Sequence, residues 1–173
     1  MPESYRPPLR KDKLRDRTYS QSKSTNLSAD SANVGTLLER KGADVVSIGP
    51  NETLGRAVEI LRDRSIGALL VTGEDSELIG ILSERDIVRK LAETPGKTLP
   101  QRVSDVMTQK VETCTEEEQL IDVLRRMTVG RFRHMPAVRG SSLIGMVTIG
   151  DVVNYRLREL EHEALQLKQL IVG

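Results

Sequence analysis

Two hydroxyl residues are each followed, three positions later, by an aspartate: Ser83-Glu-Arg-Asp86 and Thr148-Ile-Gly-Asp151. Each set ends a short apolar run, within GILSERDIV at 80–88 and GMVTIGDVV at 145–153. A hydroxyl where a strand turns into a helix lies among the N–H groups of the helix start, at the positive end of the macrodipole, and that setting suits a phosphate. An aspartate one turn later offers two acceptor oxygens, enough to receive both donors of a ribose cis-diol. The same spacing also describes a capping box with Asp in the place of the usual Glu, so either motif alone fits both readings.

The elements that must position these residues are duplicated around them. Val45, Ile48, Leu54, Ala57, Val58, Leu61 and Ile66 recur 66 positions later as Val111, Cys114, Leu120, Val123, Leu124, Met127 and Phe132. One residue is lost in the loop at 139–142 relative to that at 73–77, and the register then carries Leu78, Ile79 and Gly80 onto Leu143, Ile144 and Gly145. A long internal repeat of this kind decides the fold before any local feature does. Apolar spacing predicts strand, helix, strand, strand, helix in each copy. The strands fall at 44–48, 67–71 and 78–82 in the first copy, and at 111–114, 134–138 and 143–147 in the second. Thr115 and Glu118 are spaced for a capping box at the start of the second copy's first helix.

The doubled Gly-apolar-apolar-Ser/Thr-x-x-Asp motif, with the GALLV run at 67–71 and the RHMPAV run at 133–138, resembles the CBS-domain family. The tandem, over 34–160, resembles a Bateman module, the pair of CBS repeats that senses adenine-containing metabolites. The resemblance implies an α/β (α+β) fold of tandem β-α-β-β-α repeats packed about a pseudo-twofold axis, with two clefts between them and an extended C-terminal helix. Each cleft of such a pair can take an adenosine. By this resemblance Asp86 and Asp151 hold the ribose, and Ser83 and Thr148 approach the phosphate or ribose. Val45, Val46 and Ser47 in the first repeat, and Val111, Glu112 and Thr113 in the second, read the adenine edge. Ile66, Leu82, Phe132, Met135, Pro136 and Val147 supply apolar walls. AMP is the foremost ligand expected, with ADP, ATP, NAD(H) and S-adenosylmethionine as the others.

Charge separates the two copies. Arg85 in the first stands where the second has Gly150, and Arg131, Arg133 and His134 in the second stand where the first has Ser65, Gly67 and Ala68. Arginines beside a phosphate site favour bidentate anion contacts, so the two clefts are expected to bind nucleotide unequally.

Composition excludes several function classes. At 173 residues with a formal charge of +1 and 29% charged residues, the chain has no electrostatic bias toward nucleic acid or a membrane surface. Its aromatics, three Tyr and one Phe, leave little to stack single-stranded bases. No run approaches the length of a membrane span, and no short apolar segment of the secretory kind opens the sequence, which reads as cytoplasmic. Cys114 reads as a small hydrophobe on a core strand, and His134 and His162 lack ligand spacing, so no metal site is expected.

The expected organisation is a flexible basic arm at 1–33, the first repeat at 34–93, a linker at 94–102 containing Pro95, Gly96 and Pro100, the second repeat at 103–161, and a helical extension at 162–173. Val153, Leu157, Leu160, Ala164, Leu167 and Ile171 form a heptad stripe along that last helix. The stripe either packs on its own module or pairs with a second subunit, and the resemblance favours a homodimer. Without a nucleophile-base-orienter set, a metal cluster or a Walker-type loop, the chain does not read as an enzyme. It reads as a metabolite sensor that relays occupancy to an unidentified regulated protein, with a ligand-independent dimeric scaffold as the alternative.

Overall fold

The chain enters the structure, a computed structural model describing residues 32–172, through helix α1 (Val34–Lys41). The arm expected at 1–33 lies outside the described residues apart from Ala32 and Asn33. Asn33 caps α1, its side chain accepting from Thr36 N at 2.9 Å. The first repeat follows as β1 (Ser47–Ile48), α2 (Leu54–Arg64), β2 (Ala68–Thr72), β3 (Leu78–Ser83) and α3 (Glu84–Glu93). A 3₁₀ turn at Val103–Asp105 leads into β4 (Cys114–Thr115), α4 (Leu120–Gly130), β5 (His134–Arg139), β6 (Ser142–Thr148) and α5 (Ile149–Val172). The fold is mixed α/β, as the duplicated pattern predicts.

Each repeat builds a three-stranded sheet, β1-β2-β3 or β4-β5-β6, whose first two strands are parallel and whose last two form an antiparallel hairpin. The registers agree: Ala68 pairs with Ser83, and His134 with Thr148. Glu84 N donates to Gly67 O at 3.0 Å, and Ile149 N to Arg133 O at 3.1 Å, so both strand-to-helix junctions are anchored alike.

The first strand of each repeat is shorter than its apolar run predicts, two residues instead of 44–48 and 111–114. Both are edge strands; Val46 O ahead of β1 still accepts from Leu70 N at 3.1 Å, whereas ahead of β4 Thr113 O accepts from the Arg126 guanidinium at 2.8 Å. The capping box expected at Thr115 is displaced as well. Thr115 N donates to the Glu118 side chain at 2.9 Å, but the helix begins later, with Gln119 at its N-cap. Incoming chain takes the groups in between, since Val34 N donates to Glu118 O and Leu120 N to Ala32 O, each at 3.0 Å.

Packing crosses the sequence boundary between the repeats. The first core gathers Ile48, Leu54, Leu61, Leu69, Val71 and Leu82 with Val103, while the second gathers Leu120, Val123, Met127, Met135 and Val147 with Val34, Leu37 and Leu38. Thus α1, assigned by position to the first repeat, packs on the second, and the 3₁₀ turn, assigned by position to the second, packs on the first. Glycine permits both crossings. A Cβ at Gly80 would lie 2.5 Å from Met107 Sδ, and one at Gly145 would lie 2.7 Å from a Leu38 δ-carbon.

Along α5, Val152 and Tyr155 face the second core and are under a tenth exposed. The heptad stripe is largely exposed, Val153, Leu157, Leu160, Leu167 and Ile171 being 43% to 83% exposed, although Val153 and Leu157 border a groove with Leu120, Ile121 and Leu124 of α4. No helix among the described residues is long and apolar enough to cross a membrane.

Candidate functional site

The two motifs of hydroxyl and aspartate both form capping boxes. Ser83 N and Ser83 Oγ donate to Asp86 Oδ2 at 2.9 and 2.6 Å, and Asp86 N points back at Ser83 Oγ at 3.4 Å. Thr148 N donates to Asp151 Oδ2 at 2.9 Å, and Asp151 N to Thr148 Oγ1 at 3.1 Å. The capping role is therefore real in both copies, but among the described residues it uses only Oδ2 of each carboxylate. It also uses first-turn amides that a phosphate would need, because Glu84 N is held by Gly67 O and Asp86 N by Ser83. A phosphate here must be held chiefly by side chains.

Between the repeats opens a cleft of about 470 Å³. The first repeat contributes Gly67, Ile81, Ser83, Glu84, Arg85, Asp86 and Arg89. Facing these are Thr108, Lys110, Val111 and Glu112, and then the stretch from Gly130 to His134. Five cations, Arg85, Arg89, Lys110, Arg131 and Arg133, meet three acids, Glu84, Asp86 and Glu112. Glu112 is itself paired with Arg126 at 2.7 Å. The net field in the cleft is positive, which raises the local concentration of an anion.

Arg85 and the Arg131–His134 run join the same cleft, although the sequence places them in different repeats. Arg85 Nη1 donates to Arg131 O at 2.6 Å, bridging the repeats directly. Arg131 ends α4 in the left-handed conformation, at φ 57, as Ser65 does for α2 at φ 52. His134 opens β5 and lies over Gly67, where a Cβ would come within 3.2 Å of its ring. Burial pushes the imidazole below its ordinary range; Glu84 and Asp151 oppose that, while Lys41 and Arg133 add to it, and the net effect favours the neutral ring.

Of the residues singled out from the sequence, Ser83, Arg85, Asp86, Val111, Glu112, Arg131, Phe132, Arg133 and His134 meet in this cleft. Leu82, Met135 and Val147 do not serve as walls: all three are fully buried in the two cores. Side chains alternate along a strand, so Ile81 and Ser83 share the cleft face and Leu82 points away. Pro136 is buried on β5, and Ile66 packs on the first core. Thr113, Val45, Val46, Ser47, Thr148 and Asp151 are not among this cleft's lining. Asp151 is instead engaged by Lys41, whose Nζ lies 2.5 Å from Oδ2 and donates to Met146 O at 2.8 Å.

Sequence reasoning missed Ile81, Arg89, Thr108 and Lys110. A signal for the last of these existed: VGTLLERK at 34–41 and VSDVMTQK at 103–110 repeat one another and align Lys41 with Lys110.

The CBS-domain family pattern matches residues 37–93 and 103–158. The chain is 35% identical over 127 residues to the CBS domain-containing protein CBSX3, mitochondrial, of Arabidopsis thaliana, a match covering 71% of this chain and 62% of that protein. It therefore spans less than two thirds of that relative. Among solved structures, a CBS-domain containing protein of Agrobacterium tumefaciens is similar at a TM-score of 0.71 and 40% identity, over 73% of this chain and 95% of that one. A CBS domain pair in complex with 5-methylthioadenosine and S-adenosyl-L-methionine shares the fold at a TM-score of 0.64 and 24% identity, over 72% and 94%. Two matches in tandem, on two units of the same topology joined by crossed packing, establish that this chain belongs to the CBS-domain family.

Proposed function

We propose that this chain is a regulatory module that takes an adenine-containing metabolite in the cleft at Asp86 and relays its occupancy to a partner protein. The observation that carries this reading is the cleft itself, which lies between the repeats, holds a surplus of cations, and contains a carboxylate with one oxygen unused among the described residues. In this reading Asp86 receives the ribose hydroxyls, the Val111–Glu112 backbone meets the adenine edge, and Arg85, Arg89, Arg131 and Arg133 take the phosphates. The surplus of positive charge favours AMP, ADP, ATP or NAD(H) over the cationic S-adenosylmethionine. That a solved pair of the same fold holds methylthioadenosine and S-adenosylmethionine supports the adenosine class.

Because the cleft walls come from both repeats, a ligand that bridges them biases their relative packing, which is the change a partner reads. The exposed stripe on α5 supports pairing of two copies. Catalysis forms no part of this proposal.

A second reading, a scaffold that needs no ligand, is favoured by the two complete capping boxes, which give both aspartates a purely structural use. Thermal-shift measurements with AMP, ADP, ATP, NAD, NADH and S-adenosylmethionine separate the two. A ligand bound only by the folded state at 100 times its Kd adds about 2.7 kcal/mol. The expected result is stabilisation of the wild type and of Asp151→Ala that is lost in Asp86→Ala, each compared with its own unliganded baseline because Asp86→Ala also removes a cap. No shift of the wild type by any of the six ligands rejects the sensor reading in favour of the scaffold.

A further inference from the structure

The surroundings of Asp86 and Asp151 differ in a way that the capping boxes do not. Lys41 and Lys110 occupy equivalent places in the two repeated lead-in segments, yet only Lys41 forms an ion pair among the described residues. Its ammonium meets Asp151 and also accepts the role of donor to Met146 O. The residue equivalent to Met146 in the first repeat is Ile81, and there the strand edge is satisfied by backbone: Ile81 N and O pair with Thr108 O and N at 3.0 and 2.9 Å. The cause lies in the lead-in segments. In one, the chain stays helical through Lys41 and delivers a side chain to the edge of β6. In the other, only the turn at Val103–Asp105 is helical, and the chain then runs along β3 and carries Lys110 into the open cleft.

We infer that Lys41 is a tethered occupant of the second hydroxyl-aspartate motif, at Asp151, so that this chain takes a single nucleotide, at Asp86. The inference rests on the ligand-binding reading above. A ribose entering at Asp151 must displace an ammonium already in place, and a group on the same chain competes at an effective concentration in the millimolar range. The ammonium also neutralises the carboxylate whose charge would strengthen the bond to a hydroxyl. At Asp86 no such competitor stands among the described residues, where Lys110 lines the cleft without an ion pair.

Isothermal titration of the whole chain with ATP tests this. The wild type is expected to bind one ATP per chain, Lys41→Met two, and the double variant Lys41→Met/Asp86→Ala one. Lys41→Gln is the second variant should Lys41→Met melt without a cooperative transition. Two sites in the wild type, or one site in a cooperatively folded Lys41→Met, overturns the inference. Loss of affinity in Lys41→Met from a two-site wild type makes Lys41 a ligand contact and overturns it equally. Asp86→Ala alone addresses the underlying reading: retention of the wild-type site in that variant rejects the assignment of the Asp86 cleft, whereas its loss together with an unchanged site count in Lys41→Met rejects only the role of Lys41. Absence of ATP binding to the wild type and both Lys41 variants rejects both.

Discussion

Met107 occupies the space that a side chain at Gly80 would need, with its Sδ 2.5 Å and Thr108 O 3.2 Å from where a Cβ would stand. Gly80 and Gly145 are thus the points at which each lead-in segment crosses onto the other repeat. Gly80→Ala is expected to cost about 1–3 kcal/mol by overpacking. Gly145→Ala should cost less, because the atoms it meets are the ends of the Leu38 side chain, while Thr108 O is backbone. Urea unfolding midpoints of the two variants give the comparison, and an equal or reversed order would count against the crossed packing as the reason for these glycines.

Arg89 and Arg133 line the cleft with no ion pair among the described residues. A hydrogen bond to a charged group contributes about 1.5–3 kcal/mol, so Arg133→Ala is expected to weaken ATP binding by roughly 10- to 100-fold. AMP, which lacks the outer phosphates, should lose less. Titrations of both nucleotides at two salt concentrations decide the matter; equal losses for AMP and ATP would show that the outer phosphates do not reach Arg133.

The apolar stripe on α5 is largely exposed while Val152 and Tyr155 anchor the start of the helix to the second core. Truncation after Arg158 removes Leu160, Leu167 and Ile171 but leaves that anchor intact. The expected outcome is a monomer in sedimentation velocity under conditions where the whole chain is a dimer. A truncated chain that stays dimeric would assign the contact to the modules.

His134 supplies a pH dependence. Burial holds its folded-state pKa below the ordinary 6.5, so below that pH the unfolded chain binds more protons than the folded one. Stability is then full above about pH 6.5 and falls as pH descends through the folded-state value. Glu84, Asp151, Lys41 and Arg133 are the charged groups that act on the ring. Urea midpoints at pH 8 and pH 5.5 should drop for the wild type and stay closer together for His134→Gln.

Cys114 is 1% exposed, and burial, reinforced by Glu118, pushes its thiol up to about 12. Only the thiolate is nucleophilic, so iodoacetamide at pH 8 should leave the folded protein unmodified and alkylate it in urea. Mass spectrometry reads the difference. Rapid modification without denaturant would contradict the burial of β4.

Much of the fold was legible because apolar spacing reports which face of an element is buried. Leu54, Ala57 and Leu61 in α2 and Leu120, Val123 and Met127 in α4 are buried at the spacing their sequence shows. The wall residues were misplaced for a related reason. Leu82 and Val147 are apolar neighbours of the Ser83 and Thr148 motifs, but pleating turns them to the core and gives the cleft face to Ile81 and Ser83. The edge strands were overestimated because apolar content does not say whether a peptide group has a strand beside it.

Repetition in the chain dictated two like units, each with a hydroxyl and an aspartate at a strand-to-helix junction, because periodicity and capping chemistry are local. Tertiary structure decided which cations share a cleft and which aspartate stays open. Arg85 and Arg133 come from different repeats and meet only when those repeats pack, and Lys41 and Lys110, equal in the sequence, separate because one lead-in segment continues as a helix and the other pairs with β3. The difference between one occupied carboxylate and one open one depends on where a long flexible side chain ends in space, and its position along the chain does not specify that.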